Sequence, residues 1–88
     1  MNAQIGHRLV GYDKAEGHVR VEYAISDRHL PDAKHIAQVG SDDPQAVFCY
    51  KLNPGQVREL AAMIGKPVDP NAFNFYLEGF DMAPVRAR

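Results

Sequence analysis

Hydrophobic and polar residues alternate regularly in residues 18–25, near the start of the chain, and less regularly in the preceding segment, residues 5–12. Alternation of this kind is typical of a strand with one buried face. Both segments are therefore predicted to be β-strands. The alternation is clearest in the second segment, where every other residue is apolar: Val19, Val21, Tyr23 and Ile25.

The five residues between these strands have the composition of a hairpin loop. Asp13 is well suited to open a type I turn, and Gly17 can adopt the positive φ that ends a bulged loop. If Asp13 faces Gly17, the apolar positions of both strands share one side of the hairpin. This register predicts four cross-strand pairs: Leu9 with Val21, Gly11 with Val19, Ile5 with Ile25, and Arg8 with Glu22.

Helical spacing of apolar residues replaces the alternation after the hairpin. Ser26 or Asp27 can cap this first helix and Gly40 can end it. Pro31 is compatible only with a first turn, so the helix starts either near residue 27 or at residue 31. The positions that share its apolar face are Leu30, Ala33, Ile36 and Ala37.

A second helix is predicted from residue 54 to the glycine at position 65. Asn53 is a favourable N-cap, Pro54 fits the first helical position, and Gln56 completes a capping box. Apolar residues follow at helical spacing, and Gly65 ends the element. These apolar residues are Val57, Leu60, Ala61 and Ile64.

Two further segments are predicted to be strands. Residues 46–52 are apolar on both sides, which favours a central strand with Cys49 buried. Residues 73–78 alternate as in a strand, although Phe73, Tyr76, Leu77 and Phe80 could also share a helix face. Strand-forming composition favours the strand. Residues 82–88 are expected to be a loose tail.

The predicted order is ββαβαβ within a single domain spanning residues 1–88. Two helices on one face of an antiparallel or mixed sheet would give an α+β fold. The chain has 88 residues, 45% of them hydrophobic, which supports one thin core and no second domain.

Charge and hydropathy limit the classes of function. The formal net charge of −1 argues against nucleic-acid binding, which requires a basic surface. Apolar runs are too short to span a membrane, and the first residues do not resemble a signal peptide. A lone cysteine argues against a disulfide framework. We therefore expect a cytoplasmic protein that binds neither nucleic acid nor membranes.

The segment Leu9-Val-Gly-Tyr-Asp-Lys-Ala-Glu-Gly17 resembles a family of short bacterial proteins of unknown function. Residues 56–60 on the capped helix and residues 75–78 share this resemblance, which covers most of residues 8–80. The shared positions are turn, cap and core residues. The resemblance therefore implies a bacterial origin and a single domain, and it implies no catalytic residues.

Candidate chemical groups do not form a known catalytic or metal motif. The four histidines, His7, His18, His29 and His35, lack the close ligand spacing of zinc sites. Nothing beside Cys49 would lower the pKa of its thiol. Neither phosphate-binding loops nor a nucleophile elbow are present. No cofactor, metal ion or enzymatic activity is predicted.

The remaining signals favour a surface that binds another protein. Asp42 and Asp43 suggest an acidic edge, and the aromatic residues near the C-terminus exceed what a thin core can bury. The first hypothesis is a non-enzymatic binding module, such as a small bacterial immunity protein or antitoxin, with Asp42, Asp43, Tyr76 and Glu78 contacting the partner. The alternative is a homodimer without a specialised partner, and a small histidine-based metal protein or enzyme is a third hypothesis.

Overall fold

A computed structural model describes residues 5–81 and confirms the order ββαβαβ. The predicted tail at residues 82–88 lies outside the described residues. The last element, for which the sequence allowed a strand or a helix, is a strand. The elements are β1 (Ile5–Tyr12), β2 (Val19–Ile25), α1 (Leu30–Ala37), β3 (Cys49–Leu52), α2 (Pro54–Ile64) and β4 (Asn74–Asp81).

The four strands form one antiparallel sheet in the order β2-β1-β4-β3. Strand β4 pairs with β1 along its whole length, from Ile5 opposite Asp81 to Tyr12 opposite Asn74. Because β4 lies between β1 and β3, β3 is an edge strand, and the prediction of a central strand over residues 46–52 is wrong. Its apolar start is not in the sheet, and Phe48 is 62% exposed.

The hairpin forms as predicted, but its register is displaced by two residues. Leu9 lies opposite Tyr23, and Gly11 lies opposite Val21. A bulge then shifts the pairing between Gly11 and Tyr12. Because side chains alternate with a period of two, this displacement leaves the apolar residues on their predicted face. Arg8 and Glu22 are no longer directly opposite, yet their side chains still form an ion pair.

The second helix confirms the predicted capping. Asn53 accepts a hydrogen bond from the backbone N–H of Gln56 at 2.8 Å, and the Gln56 side chain accepts one from the backbone N–H of Asn53 at 2.8 Å. The Gln56 amide also donates to the carbonyl of Ile36 at 2.8 Å. The capping pair therefore ties α2 to α1.

The first helix starts one residue before the later of its two predicted starts, and its caps differ from the prediction. It begins at Leu30, and neither Ser26 nor Asp27 caps it, since residues 27–29 form a separate turn. His29 is the N-cap residue and makes no capping hydrogen bond through its side chain. Gln38, with φ of 59°, ends the helix in the left-handed conformation expected from glycine.

Both helices pack on the same face of the sheet. The strand residues of this core include Leu9, Leu52, Phe75 and Leu77, and the helices contribute Ala33, Ala37, Val57 and Leu60. Every one of these side chains is buried. We call this side of the sheet the covered face.

Candidate functional site on the helix-free face of the sheet

The opposite side of the sheet carries the side chains that alternate with the core residues, and we call it the helix-free face. Both described helices pack against the other side. Polar and aromatic residues predominate here, which separates this face chemically from the core. Its members are Arg8, Val10 and Tyr12 on β1, Glu22 and Ala24 on β2, Cys49 and Lys51 on β3, and Asn74, Tyr76, Glu78 and Phe80 on β4.

Arg8 occupies the middle of this face between two carboxylates. Its guanidinium pairs with Glu22 on one neighbouring strand and with Glu78 on the other, where Nη2 donates to Oε1 at 3.2 Å. The same guanidinium lies over the Phe80 ring, 5.2 Å from its centroid. Partial burial acts to lower the pKa of Arg8, but the bond to Glu78 and the charge of Glu22 raise it overall.

Glu78 is a buried carboxylate, only 7% exposed, although it lies on the helix-free face. The Tyr12 hydroxyl donates a hydrogen bond to its second oxygen, Oε2. This bond, with partial burial, raises the pKa of Tyr12 to about 12. Arg8 and Tyr12 both come from β1, so the pairing of β1 with β4 brings all three groups together.

An open depression of about 370 Å³ lies beside this carboxylate. The rings of Tyr12 and Tyr76 meet edge to face there, with their centroids 5.6 Å apart and their planes at 78°. Stacking geometry of this kind is favourable and holds both rings in place. The lining residues are Tyr12, Gly17, Cys49, Asn74, Tyr76 and Glu78.

Cys49 lies at the rim of the depression and is solvent-exposed, so the prediction of a buried cysteine in a central strand is wrong. Strand β3 is at the edge of the sheet, which leaves the thiol accessible. Its pKa is nonetheless raised, because partial desolvation and the neighbouring Glu78 carboxylate both disfavour the thiolate. At neutral pH the group is a thiol, which is a poor nucleophile.

Asp43 has a structural role outside the helix-free face. It is 4% exposed and accepts hydrogen bonds from the backbone N–H groups of Val47 at 3.0 Å and Phe48 at 3.2 Å, and from the Tyr50 hydroxyl. Desolvation acts to raise the pKa of Asp43, but these bonds lower it overall. The same contact raises the pKa of Tyr50 to about 12. Asp43 therefore anchors the loop that precedes β3.

The four predicted partner contacts do not form one surface. Tyr76 and Glu78 lie together on the helix-free face. Asp43 is buried beside Tyr50, whose ring packs against the core, and Asp42 is exposed in the same loop. An acidic edge continuing from Asp42 through Asp43 is therefore not present, since the second carboxylate points into the protein.

Sequence reasoning considered Cys49 only as a nucleophile, and it did not single out Arg8 or Tyr12 as site residues. The predicted pair of Arg8 with Glu22 places Arg8 on the polar side of the hairpin, and Tyr12 lies on the same side because it is four residues further on, which is a usable signal. Their convergence on Glu78 depends on the pairing of β1 with β4, which are far apart in the chain. No local pattern reports that pairing.

The histidines are dispersed. His7 is buried, and its Nε2 lies 2.8 Å from the carbonyl oxygen of Gln45, while His29 Nδ1 lies 3.3 Å from the Ser26 hydroxyl. His18 and His35 are exposed. Between residues 5 and 81, no three potential ligands are grouped closely enough to hold a metal ion. Within that same range, no helix has the length and apolar character needed to cross a membrane.

The fold and the site together define a small α+β domain with a helix-covered face and a polar, aromatic face. A family model described as a domain of unknown function (DUF7683) matches residues 7–78, and the chain belongs to this family. The match includes every residue that lines the depression. Neither a curated protein nor a solved structure matches the chain.

Proposed function

We propose that this chain is a non-catalytic protein-binding module whose docking surface is the helix-free face. The observation that carries the proposal is the depression formed by Tyr12, Tyr76 and Glu78. Tyrosine rings are favoured anchors at protein interfaces, where an apolar body and a polar tip serve together. A central Arg8 and its two carboxylates add directional contacts around these rings.

The protonation states on this face support binding over catalysis. Both the Tyr12 hydroxyl and the Cys49 thiol have raised pKa values, so both keep their protons at neutral pH. A nucleophile or general base requires the opposite, a group poised to lose or accept its proton near pH 7. Glu78 is held by Arg8 and Tyr12, and these bonds fix its position.

Within this class, we propose a small bacterial immunity protein or antitoxin that acts in the cytoplasm. Such a protein acts by covering the functional surface of its partner, which requires a rigid surface and no chemistry of its own. The antiparallel sheet supplies the rigidity, and the ion pairs favour correct orientation during encounter.

The direct test is capture of partners from a lysate of the host, with the wild type and variants as bait. Tyr76→Leu removes one ring of the depression, and we expect it to weaken capture of a stoichiometric partner at least tenfold. Glu59→Gln on α2, an exposed change on the covered side, is the control and should capture the partner as the wild type does. Equal capture by wild type and Tyr76→Leu would place the docking surface elsewhere.

A homodimer is the second candidate, and the outer edge of β2 favours it. This edge strand is exposed, with Val19 49% accessible. A second copy running antiparallel about a two-fold axis at Val21 would place Arg20 of each copy opposite Glu22 of the other, which is a favourable pair. The bulge near Val19 limits the pairing to a short stretch. Light scattering over a wide concentration range tests it, and a constant monomer mass would exclude it.

A further inference from the structure

We propose that the depression on the helix-free face binds the guanidinium group of an arginine side chain on the partner. This inference rests on the proposed function and names the chemistry that its surface recognises. It follows from three features of the depression, which are its charge, its rings and the geometry that Arg8 already shows.

The carboxylates of Glu22 and Glu78 share one guanidinium, that of Arg8. Lys51 balances the formal charge of the whole helix-free face, but it does not line the depression. The lining of the depression contains one carboxylate, that of Glu78, and neither lysine nor arginine. Because Glu78 is largely removed from water, its attraction for a cation is screened less than that of a fully exposed carboxylate.

The rings suit a planar cation. Guanidinium groups stack on aromatic faces and donate paired hydrogen bonds to carboxylates, whereas an ammonium is a compact point charge. Tyr12 and Tyr76 stand nearly perpendicular, so they form two adjacent walls beside the carboxylate. Glu78 accepts hydrogen bonds from Arg8 and from Tyr12, and the Cys49 thiol is a third donor beside it, whereas a carboxylate has about four acceptor positions.

Arg8 shows the same mode of recognition within the chain. Its guanidinium lies over the Phe80 ring, 5.2 Å from the centroid, while Nη2 bonds Glu78 at 3.2 Å. A partner arginine entering the depression would approach Glu78 from the Tyr12 and Tyr76 side. The two guanidinium groups would then flank one carboxylate.

Besides Arg8, which already pairs with Glu78, Lys51 is a second cationic residue that opposes this binding. It lies opposite Tyr76 in the sheet and is exposed on the same face, but its side chain does not line the depression. Its charge therefore acts through solvent, where such interactions are modest. Removing the charge should strengthen binding slightly, by about twofold.

The experiment is an NMR titration of the isotope-labelled full chain with N-acetyl-arginine amide. N-acetyl-citrulline amide, which has nearly the same shape and no charge, is the control ligand. We expect the arginine probe to shift the backbone amide signals of Tyr12, Gly17 and Asn74, with half-saturation on the order of millimolar, as befits a ligand of this size. The citrulline probe should leave these signals in place.

Variants give the residue-level test. Glu78→Gln should weaken binding of the arginine probe about tenfold, whereas Glu59→Gln, which changes the net charge equally, should leave it unchanged. Lys51→Gln should strengthen it by about twofold. If Glu78→Gln does not fold, Tyr76→Leu replaces it, because that change keeps Glu78 and the hydrogen bonds that Arg8 and Tyr12 donate to it.

Three results would overturn the inference: no shift with the arginine probe, equal shifts with the citrulline probe, or equal binding by wild type and Glu78→Gln. These failures are separable from failure of the proposed function. If Tyr76→Leu abolishes partner capture and the arginine probe still does not bind, the docking surface stands and its ligand is not guanidinium. If the probe binds and capture is unaffected, the site is real but is not the docking surface.

Discussion

The two faces of the sheet are built from the same strands and differ in what stabilises them. On the covered face, Leu9 and Leu77 lie opposite each other and are fully buried beneath the helices. One position along each strand, Arg8 and Glu78 lie opposite each other on the helix-free face and form an ion pair. A single step along the chain therefore separates hydrocarbon packing from directional polar contacts.

This difference distinguishes what each face contributes to the molecule. Hydrocarbon packing on the covered face stabilises the fold, but it is non-directional and tolerates any apolar neighbour that fits. Hydrogen-bonded ion pairs have a defined geometry and can specify a partner. Val10 is an exception on the helix-free face. It lies between Glu22 and Tyr76 and is nevertheless fully buried.

The largest expected effect tests whether stability resides on the covered face. Leu60 is fully buried in α2, and Leu60→Ala should lower the free energy of unfolding by about 2–5 kcal/mol through lost burial and the cavity left behind. Tyr76→Leu on the helix-free face should cost less than about 1 kcal/mol. Urea denaturation measures both. Equal losses would show that the two faces contribute alike to the free energy of unfolding.

The next effect concerns the loop that covers one end of the core. A Cβ atom on Gly79 would lie 2.5 Å from the carbonyl oxygen of Ala46 and 2.9 Å from the Cα of Val47. Both are backbone atoms, so Gly79→Ala should displace the loop and cost about 1–3 kcal/mol. Hydrogen exchange should show faster exchange at Val47 and Phe48, the amides that Asp43 holds. Unchanged exchange there would mean that the loop does not rest on the sheet.

Local patterns account for most of the fold and little of the site. The capping box of Asn53 and Gln56 was predictable because both partners lie within one turn. The central position of β4 and the edge position of β3 were not, since they depend on pairing between distant segments. Asp43 shows the same limit, because a turn-forming residue gave no sign that its carboxylate would be buried.

A smaller effect tests how much the N-terminal cap of α2 contributes to stability. Asn53→Ala removes the side-chain acceptor of the α2 cap and should cost about 1 kcal/mol of stability. Asn71→Ala is the matched control, because this exposed asparagine lies outside the helices, and its stability should change by less than about 0.5 kcal/mol. Thermal and urea unfolding of both variants measure the difference. Equal stability of the two variants would show that the cap does not stabilise the protein measurably.

The smallest effect concerns the titration of two tyrosines. Each is hydrogen-bonded to a carboxylate, one on each side of the sheet. The pKa values of Tyr12 and Tyr50 are raised to about 12, first by hydrogen bonds to Glu78 and Asp43 respectively and then by desolvation. The ordinary value is about 10, so each bond contributes stability that is complete below pH 10 and is lost as the pH rises towards 12.

Absorbance of the phenolate during an alkaline titration measures this directly. Wild type should show late ionisation of Tyr12 and Tyr50, and Tyr12→Phe and Tyr50→Phe should each remove one late component. Glu78→Gln should move the Tyr12 component back towards the ordinary pKa and leave that of Tyr50 unchanged. If Glu78→Gln shifts both components, the two faces are coupled through the sheet and do not act as separate surfaces.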